Sequence, residues 1–442
     1  MSQEKYIAAI EICSSKIIGA VGRYYPSGRL DVIAIEQEHA VECVCHGIIH
    51  NVEETASRIN RIIDKLEQRP GVAPRKITSV YVGLSGRSLR NVPKEIHRDL
   101  PEDTEITNEI LNSINDEARR AHIDASLEVI DVIPASYHVN KTETKSPAGT
   151  FGSNIRVHYQ LIAARPLLRK HLMRVVRDKV GINIADTVVT PIAAGNLILS
   201  DDERRLGCML VDLGAETTTV AIYQNGSLHY LAVLPIGSRN ITRDITSLSV
   251  LEKEAEEVKT NSGNAIPSGN PSSLNINGMR LSDVSNIVVA RSEEIVANII
   301  EQITYAGITS KQLSGGIITI GGGFNLNRMG ELLRRQSALN VRRGSLPSNI
   351  ILEDTKAPTY ETIEVIGIMN AGTAPGTPEC LTLPKKEELP EGEYHDSEMR
   401  EEHKEPAKSK SKPGPFSKFS DRARRLFAGM FTASEEDDSE LD

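Results

Sequence analysis

Residues 208–223 read Cys208-Met-Leu-Val-Asp-Leu-Gly-Ala-Glu-Thr-Thr-Thr-Val-Ala-Ile-Tyr223. Met209, Leu210 and Val211 form an apolar run that ends on Asp212. A turn of small and hydroxylated residues follows, and Val220, Ala221 and Ile222 restore the apolar pattern. Two short apolar runs joined by such a turn predict a β-hairpin. The same design stands much earlier in the chain. Residues Tyr6 to Tyr25 run apolar, turn through Glu11-Ile-Cys-Ser-Ser-Lys16, and run apolar again. In both copies an acidic residue closes the first strand, and a further strand pattern follows, Leu30 to Glu36 in one and Ser227 to Leu234 in the other. A repeated unit of this kind predicts duplicated α/β domains that face one another.

A third segment completes the set. Ile317-Ile-Thr-Ile320 reads as a buried strand, Gly321-Gly322-Gly323 follows at once, and a helix pattern opens near Asn327 with Met329, Leu332 and Leu333 on one face. Strand, glycine loop and helix bring backbone N–H groups and a helix amino end to one point, where an anionic or nucleotide ligand is readily held. Three glycines alone mark no more than a tight turn. Beside two hairpin turns of phosphate-cradling composition they predict a nucleotide site.

The chain has 442 residues, enough for more than one hydrophobic core. Its 51 Lys and Arg against 60 Asp and Glu leave a formal charge of −9, which argues against a nucleic-acid partner. The polar start, Met1 to Lys5, shows no secretory pattern, and no apolar run reaches the roughly 18 residues of a membrane span. A cytoplasmic protein is expected. The five cysteines are odd in number and scattered, as suits reduced thiols. Cys43, Cys45, His46 and His50 cluster, but no second pair follows at zinc-finger spacing, and a strand end with a turn explains them.

Residues 81–165 differ in pattern from the flanking segments. They open on Tyr81-Val-Gly-Leu-Ser-Gly, carry a helix pattern from Glu109 to Arg120, and read as an inserted α+β module. Residues 374–414 hold mostly Pro, Glu, Lys, Gly and Ser, too little apolar surface for a core, so a disordered linker is expected there. Then the apolar residues return. In residues 415–432, Phe416, Phe419, Ala423, Leu426, Phe427, Met430 and Phe431 recur at helical spacing within an arc of about 140°. Lys418, Asp421, Arg422, Arg424 and Arg425 fall on the other face. Four of the six phenylalanines of the chain lie here. An aromatic face bounded by basic residues predicts an amphipathic helix lying on anionic membrane lipid. The acidic tail, residues 433–442, is expected to stay in solution.

Taken in order, these segments resemble the nucleotide fold of the actin, Hsp70 and sugar-kinase superfamily. Glu11-Ile-Cys-Ser-Ser-Lys resembles its first phosphate loop, Asp212-Leu-Gly-Ala-Glu-Thr-Thr its second, and Ile320-Gly-Gly-Gly-Phe-Asn its adenosine loop. Pro191-Ile-Ala-Ala-Gly and Ala290-Arg-Ser-Glu-Glu-Ile resemble the two connecting helices. Within the superfamily the insertion, the segment Ala255-Glu-Glu-Val-Lys and the amphipathic end resemble the FtsA family of bacterial cell-division proteins.

That resemblance implies an actin-like two-lobed α/β fold. Lobe I would take residues 1–80, 166–190 and 350–373, an SHS2-like α+β subdomain residues 81–165, and lobe II residues 191–349. It implies ATP and Mg2+ in the cleft, with phosphate held by Ser14, Ser15, Lys16, Gly214, Ala215, Glu216, Thr217 and Thr218. Adenosine would lie against Glu256, Lys259, Gly321, Gly322, Gly323 and Asn325. Glu11 and Asp212 would position water or metal, Asp212 acting through a magnesium-bound water. Implied partners are the C-terminal tail of FtsZ, further copies of the chain in an actin-like filament, anionic lipid, and later division proteins at the cytoplasmic face of the membrane. The first loop departs from the family's Asp-x-Gly, with Glu11 and Cys13 in the Asp and Gly positions, and Thr219 replaces a common aspartate. Phosphoryl transfer depends on carboxylate placement, so ATP binding with at most weak hydrolysis is expected. A soluble sugar-kinase-like phosphotransferase is the alternative. It would need a cleft base for the acceptor hydroxyl, and it has no use for Phe416 to Phe431.

Overall fold

The computed structural model describes residues 4–267, 278–353 and 361–384, together with the backbone of Asn275 and Ile276. Within these residues the two hairpins seed two sheets of identical core topology. The first sheet is ordered Asn183–Val189, Ser79–Leu84, Lys5–Ile12, Lys16–Tyr24, Leu30–His39 and Ile350–Leu352. The corresponding part of the second is ordered Val341–Arg343, Ile317–Ile320, Cys208–Leu213, Thr218–Gln224 and Ser227–Leu234. In each, the hairpin pairs antiparallel and its first strand pairs parallel with the next core strand, Ala9 beside Tyr81 and Leu210 beside Ile318. The expected duplication of α/β domains and the actin-like fold are therefore observed.

Helices cover the sheets for local reasons. The Val52–Glu67 helix starts on Asn51, whose side chain accepts from the Glu54 N–H, and turns Ile59, Ile62, Ile63 and Leu66 inward. Gly19 in the strand beneath leaves room for Ile62, since a Cβ there would sit 2.4 Å from Ile62 Cγ2. The inserted module carries strands Arg90–Glu105, Glu128–Val139, Thr142–Thr144 and Phe151–Ala164, with the Asn108–Arg119 helix against them. It has its own core of Ile96, Ile114, Val157, Tyr159 and Leu161. Its sheet continues into the second sheet through the Ala232–Arg90 pair.

Three expectations need correction. Tyr81 to Leu84 do not begin the insertion; strand Ser79–Leu84 is buried in the first sheet, paired on both edges, and the insertion starts beyond it. The Ala290 to Ile295 segment is not a connecting helix. It lies within the long Leu281–Tyr305 helix, whose inward face packs in the core of the second sheet. The helix that meets Thr190–Ile198 is instead Ile363–Ala371, where Gly367 lets the backbones approach; a Cβ there would lie 2.9 Å from the Ala193 carbonyl carbon. Finally, the expected linker does not start at 374. Cys380 and Leu381 are buried, and Leu381–Thr382 pairs with Lys76–Ile77. The remainder of the linker, the amphipathic segment 415–432 and the acidic tail lie outside the described residues.

Candidate functional site

The two hairpin turns close alike. The Cys13 N–H donates to the Lys16 carbonyl and the Gly214 N–H to the Thr217 carbonyl, each at 2.9 Å. Glu11 thereby corresponds to Asp212, Cys13 to Gly214, Ser15 to Glu216 and Lys16 to Thr217. Both turns open on a cavity of about 560 Å³ that the glycine loop also lines. Gly321 has φ of +86°, and a Cβ on it would stand 2.2 Å from Asp212 Oδ1, so only glycine lets this loop cross the second hairpin.

Of the residues expected in the site, Glu11, Ser14, Ser15, Lys16, Asp212, Gly214, Ala215, Thr217, Glu256, Lys259, Gly321, Gly322, Gly323 and Asn325 line this one cavity. Glu216 and Thr218 do not. The Glu216 carboxylate is 3% exposed, accepts from the His46 N–H at 2.8 Å, and is paired with Arg243 at 2.8 Å and Arg239 at 3.4 Å. Burial pushes its pKa up, but the His46 N–H, Cys45 and the two guanidinium groups outweigh that and hold it below the ordinary value. Thr218 is buried and gives its hydroxyl to the Ile236 carbonyl at 2.7 Å. The strand pleat explains both halves of the result: Thr217 and Thr219 face the cavity and Thr218, between them, points away.

Several of the cavity's polar groups are engaged with the protein. Ser14 Oγ accepts from the Gly47 N–H at 2.9 Å. The Lys259 ammonium donates to Glu256 at 2.7 Å, Thr242 at 2.9 Å and the Ser238 carbonyl at 3.3 Å, and burial lowers its pKa. Two residues that the sequence reading missed carry much of the electrostatics. Glu361 holds the Lys16 ammonium at 2.6 Å and accepts from Asn325 Nδ2 at 3.4 Å, so it spans from the first hairpin to the glycine loop. Glu364, in the first turn of the Ile363–Ala371 helix, brings its carboxylate within 4.8 Å of Glu11 and close enough to Asp212 for the two to repel.

Three carboxyl groups thus converge where Lys16 is already paired. Burial raises the pKa of each, and their mutual repulsion adds to it: Glu364 and Asp212 are pushed well up, and Glu11 is raised. Glu11 Oε2 and Asp212 Oδ1 find no donor among the described residues. Buried acceptors without donors fit a cation, so Glu11, Asp212 and Glu364 are the groups that would hold Mg2+, which would neutralise phosphate charge when bound.

Comparison with known proteins gives a consistent answer. The family model for cell division protein FtsA matches residues 209–364, and that for the SHS2 domain inserted in FtsA matches residues 86–163. Cell division protein FtsA of Porphyromonas gingivalis is 29% identical over 473 residues, covering 97% of each chain. That of Bacillus subtilis is 30% identical over 329 residues, covering 72% of each. The chain belongs to the FtsA family. Among solved structures, the PilM-PilN type IV pilus biogenesis complex shares the fold, with a TM-score of 0.60, 16% identity, and coverage of 84% of this chain and 99% of that one. FtsA membership gives the chain a cell-division role on an actin-like body. The SHS2 match begins at residue 86, in agreement with an insertion that starts after the Ser79–Leu84 strand.

Proposed function

We propose that this FtsA-family chain binds ATP with Mg2+ in the cavity between its two hairpins, assembles into actin-like filaments, and fastens FtsZ polymers to the cytoplasmic membrane. The observation that carries the nucleotide part is the convergence of both hairpin turns and the glycine loop on one cavity. Residues Ser14 to Lys16 and Gly214 to Thr217 present backbone to phosphate, and the side of the cavity bounded by Glu256, Lys259 and Gly321 to Asn325 takes the nucleoside. Lys16 leaves Glu361 for phosphate when the ligand enters. Hydrolysis is slow at best. Thr219 offers no carboxylate, and Glu11 lies against the Cys13 thiol and the Glu364 carboxylate. The sugar-kinase alternative gains nothing from these residues: Glu11, Asp212 and Glu364 cluster on one another, and Glu38, Glu256 and Glu361 are each paired with a lysine.

The membrane part rests on Phe416, Phe419, Leu426, Phe427, Met430 and Phe431 opposite Arg422, Arg424 and Arg425. Each large apolar side chain contributes at most about 1.5–3 kcal/mol on burial, and each basic residue near anionic lipid about 1 kcal/mol. Folding the helix consumes much of that sum, so one segment binds weakly and an assembly of many binds tightly through effective concentration. The FtsZ tail and later division proteins are partners on the strength of family membership. The decisive experiment is co-sedimentation with anionic liposomes, with and without ATP, of the full chain and of a Phe427→Glu, Phe431→Glu double variant. Pelleting of the intact chain alone, enhanced by ATP, supports the reading. Equal behaviour of the two proteins removes the membrane segment from it.

A further inference from the structure

Glu11 and Cys13 sit two residues apart at the end of the Lys5–Ile12 strand, so their side chains share one face. The Cys13 thiol donates to Glu11 Oε1 at 3.0 Å, near the ~3.5 Å edge between two ligands of a tetrahedral zinc ion. Glu364 enters from the Ile363–Ala371 helix, and one ligand atom from each of Glu11, Cys13 and Glu364 lies within 4.8 Å of the others. Glu11 is 1% exposed, yet its Oε2 finds no donor among the described residues. A carboxylate oxygen buried in that state, turned toward a thiol and a second carboxylate, lacks a cation more than it lacks water.

We propose that Glu11, Cys13 and Glu364 form a protein-liganded site for a divalent transition metal of the zinc class, occupied without nucleotide. It shares Glu11 and Glu364 with the groups that would hold magnesium and differs in its thiolate, a poor ligand for magnesium and a good one for zinc. Three protein ligands leave a fourth position open toward the cavity, where a phosphate oxygen would complete the shell. The metal gives the first hairpin the positive charge that Lys16, held by Glu361, does not supply there. The second cysteine-bearing cluster, Cys45, His46 and Glu216, is the natural competitor, but its carboxylate is already matched by Arg239 and Arg243.

The test uses the full chain stripped of metal with a chelator and titrated with Co2+ in the absence of nucleotide. One Co2+ is expected to bind with thiolate-to-metal charge-transfer absorption in the near ultraviolet, displaced by Zn2+ and not by Mg2+ at equal concentration. Cys13→Ser and Cys13→Gly should abolish that absorption. Glu364→Gln should weaken Co2+ binding about tenfold, and Cys45→Ser should change neither. Zn2+ should also raise the Tm of the wild type and of Cys45→Ser, but not of the Cys13 variants. Absence of the thiolate band in the wild type, its survival in both Cys13 variants, or its loss in Cys45→Ser overturns the assignment. ATP binding is measured separately, so a chain that takes cobalt but no nucleotide refutes the proposed function and leaves the metal site standing, and the converse also holds.

Discussion

The two hairpins have the same hydrogen-bonded frame and opposite electrostatic settings. In the second turn, Glu216 is matched by Arg239 and Arg243, and the turn is braced where the Ser238 and Arg239 N–H groups donate to the Gly214 and Ala215 carbonyls. A Cβ on Gly237 would stand 2.4 Å from the Ala215 carbonyl oxygen, so this brace is close-fitting. Around the first, Glu11, Cys13 and Glu364 crowd together with no cation among them, and Lys16 is tied to Glu361. A duplicated frame thus gives one turn whose glutamate, Glu216, is neutralised by arginines of its own half and one whose Glu11 lies against a thiol and a further carboxylate.

The largest effect that would break this contrast is at the glycine loops that follow the central strands. Gly321→Ala places a methyl 2.2 Å from Asp212 Oδ1 and 2.6 Å from the Leu213 carbonyl oxygen, at a φ of +86°. It should cost about 3 kcal/mol or more in urea denaturation and abolish ATP binding. In the loop after the Ser79–Leu84 strand, Gly86 has φ of +145°, and a Cβ there would meet Leu168 Cδ1 at 3.0 Å and the Gly47 carbonyl oxygen at 3.1 Å, so Gly86→Ala should also destabilise, but by less. Gly322→Ala meets nothing within 4 Å and should stay within about 0.5 kcal/mol of the wild type. Equal costs at 321 and 86 would remove the distinction between a close-fitting and an adjustable turn.

Next in size is the pair Glu216 and Ser15, which occupy equivalent positions. Glu216→Ala should destabilise by about 2–3 kcal/mol, because it leaves Arg239 short of a partner and the His46 N–H without an acceptor. Ser15→Ala should be nearly neutral. Glu216 has a lowered folded-state pKa, so its stabilisation is present above the ordinary glutamate value and is lost as pH falls through the lowered one. Acid titration of Glu216→Gln should accordingly be flatter than that of the wild type.

What the sequence disclosed follows from where its information is local. Both hairpins, the glycine loop and the Asn108–Arg119 helix are written in short-range periodicity and turn composition, and they appear where the residues place them. Turn composition alone marks Thr217 and Thr218 equally, whereas the pleat of the strand, also legible in the sequence, puts Thr217 and Thr219 on the cavity face. Glu364 was illegible for a different reason. Its helix, Ile363-Glu-Val-Ile-Gly-Ile-Met-Asn-Ala371, is apolar nearly all round, so no stripe marks a face or shows where its single carboxylate points. Only the long-range packing of that helix on the first sheet brings Glu364 to Glu11. Cys380 and Leu381 are similar: two buried residues in a polar stretch gain meaning only from the strand they pair with.

A third test sharpens the electrostatic side. The folded-state pKa values of Glu11, Asp212 and Glu364 are raised, so their contribution to stability is fully present below the ordinary carboxylate pKa and is lost as pH rises through the raised values. Glu364→Gln removes one member and the repulsion it adds. It should stabilise the metal-free chain by about 1 kcal/mol at neutral pH and flatten the decline above the ordinary carboxylate range. Denaturation across pH in the presence of a chelator reads this directly. A steeper decline in the variant would mean that Glu364 relieves the charge on Glu11 instead of adding to it.

The smallest expected effect bears on the one position where the hairpins differ in backbone character. Gly214 has no side chain, and Cys13 carries one into the cavity next to the turn that would meet phosphate. Cys13→Gly therefore makes the first turn like the second. If the thiol only crowds the ligand, removing it should tighten Mg-ATP about threefold, or roughly 0.7 kcal/mol. The readout is calorimetric titration in the absence of zinc-class metals, so that loss of a metal ligand does not mask relief of crowding. If affinity falls instead, the Cys13 side chain helps to hold the first turn in its receptive form, most directly by fixing the Glu11 carboxylate through the 3.0 Å bond it donates. The departure from glycine would then be part of how this hairpin meets its ligand, and the asymmetry between the two turns would extend from charge to backbone support.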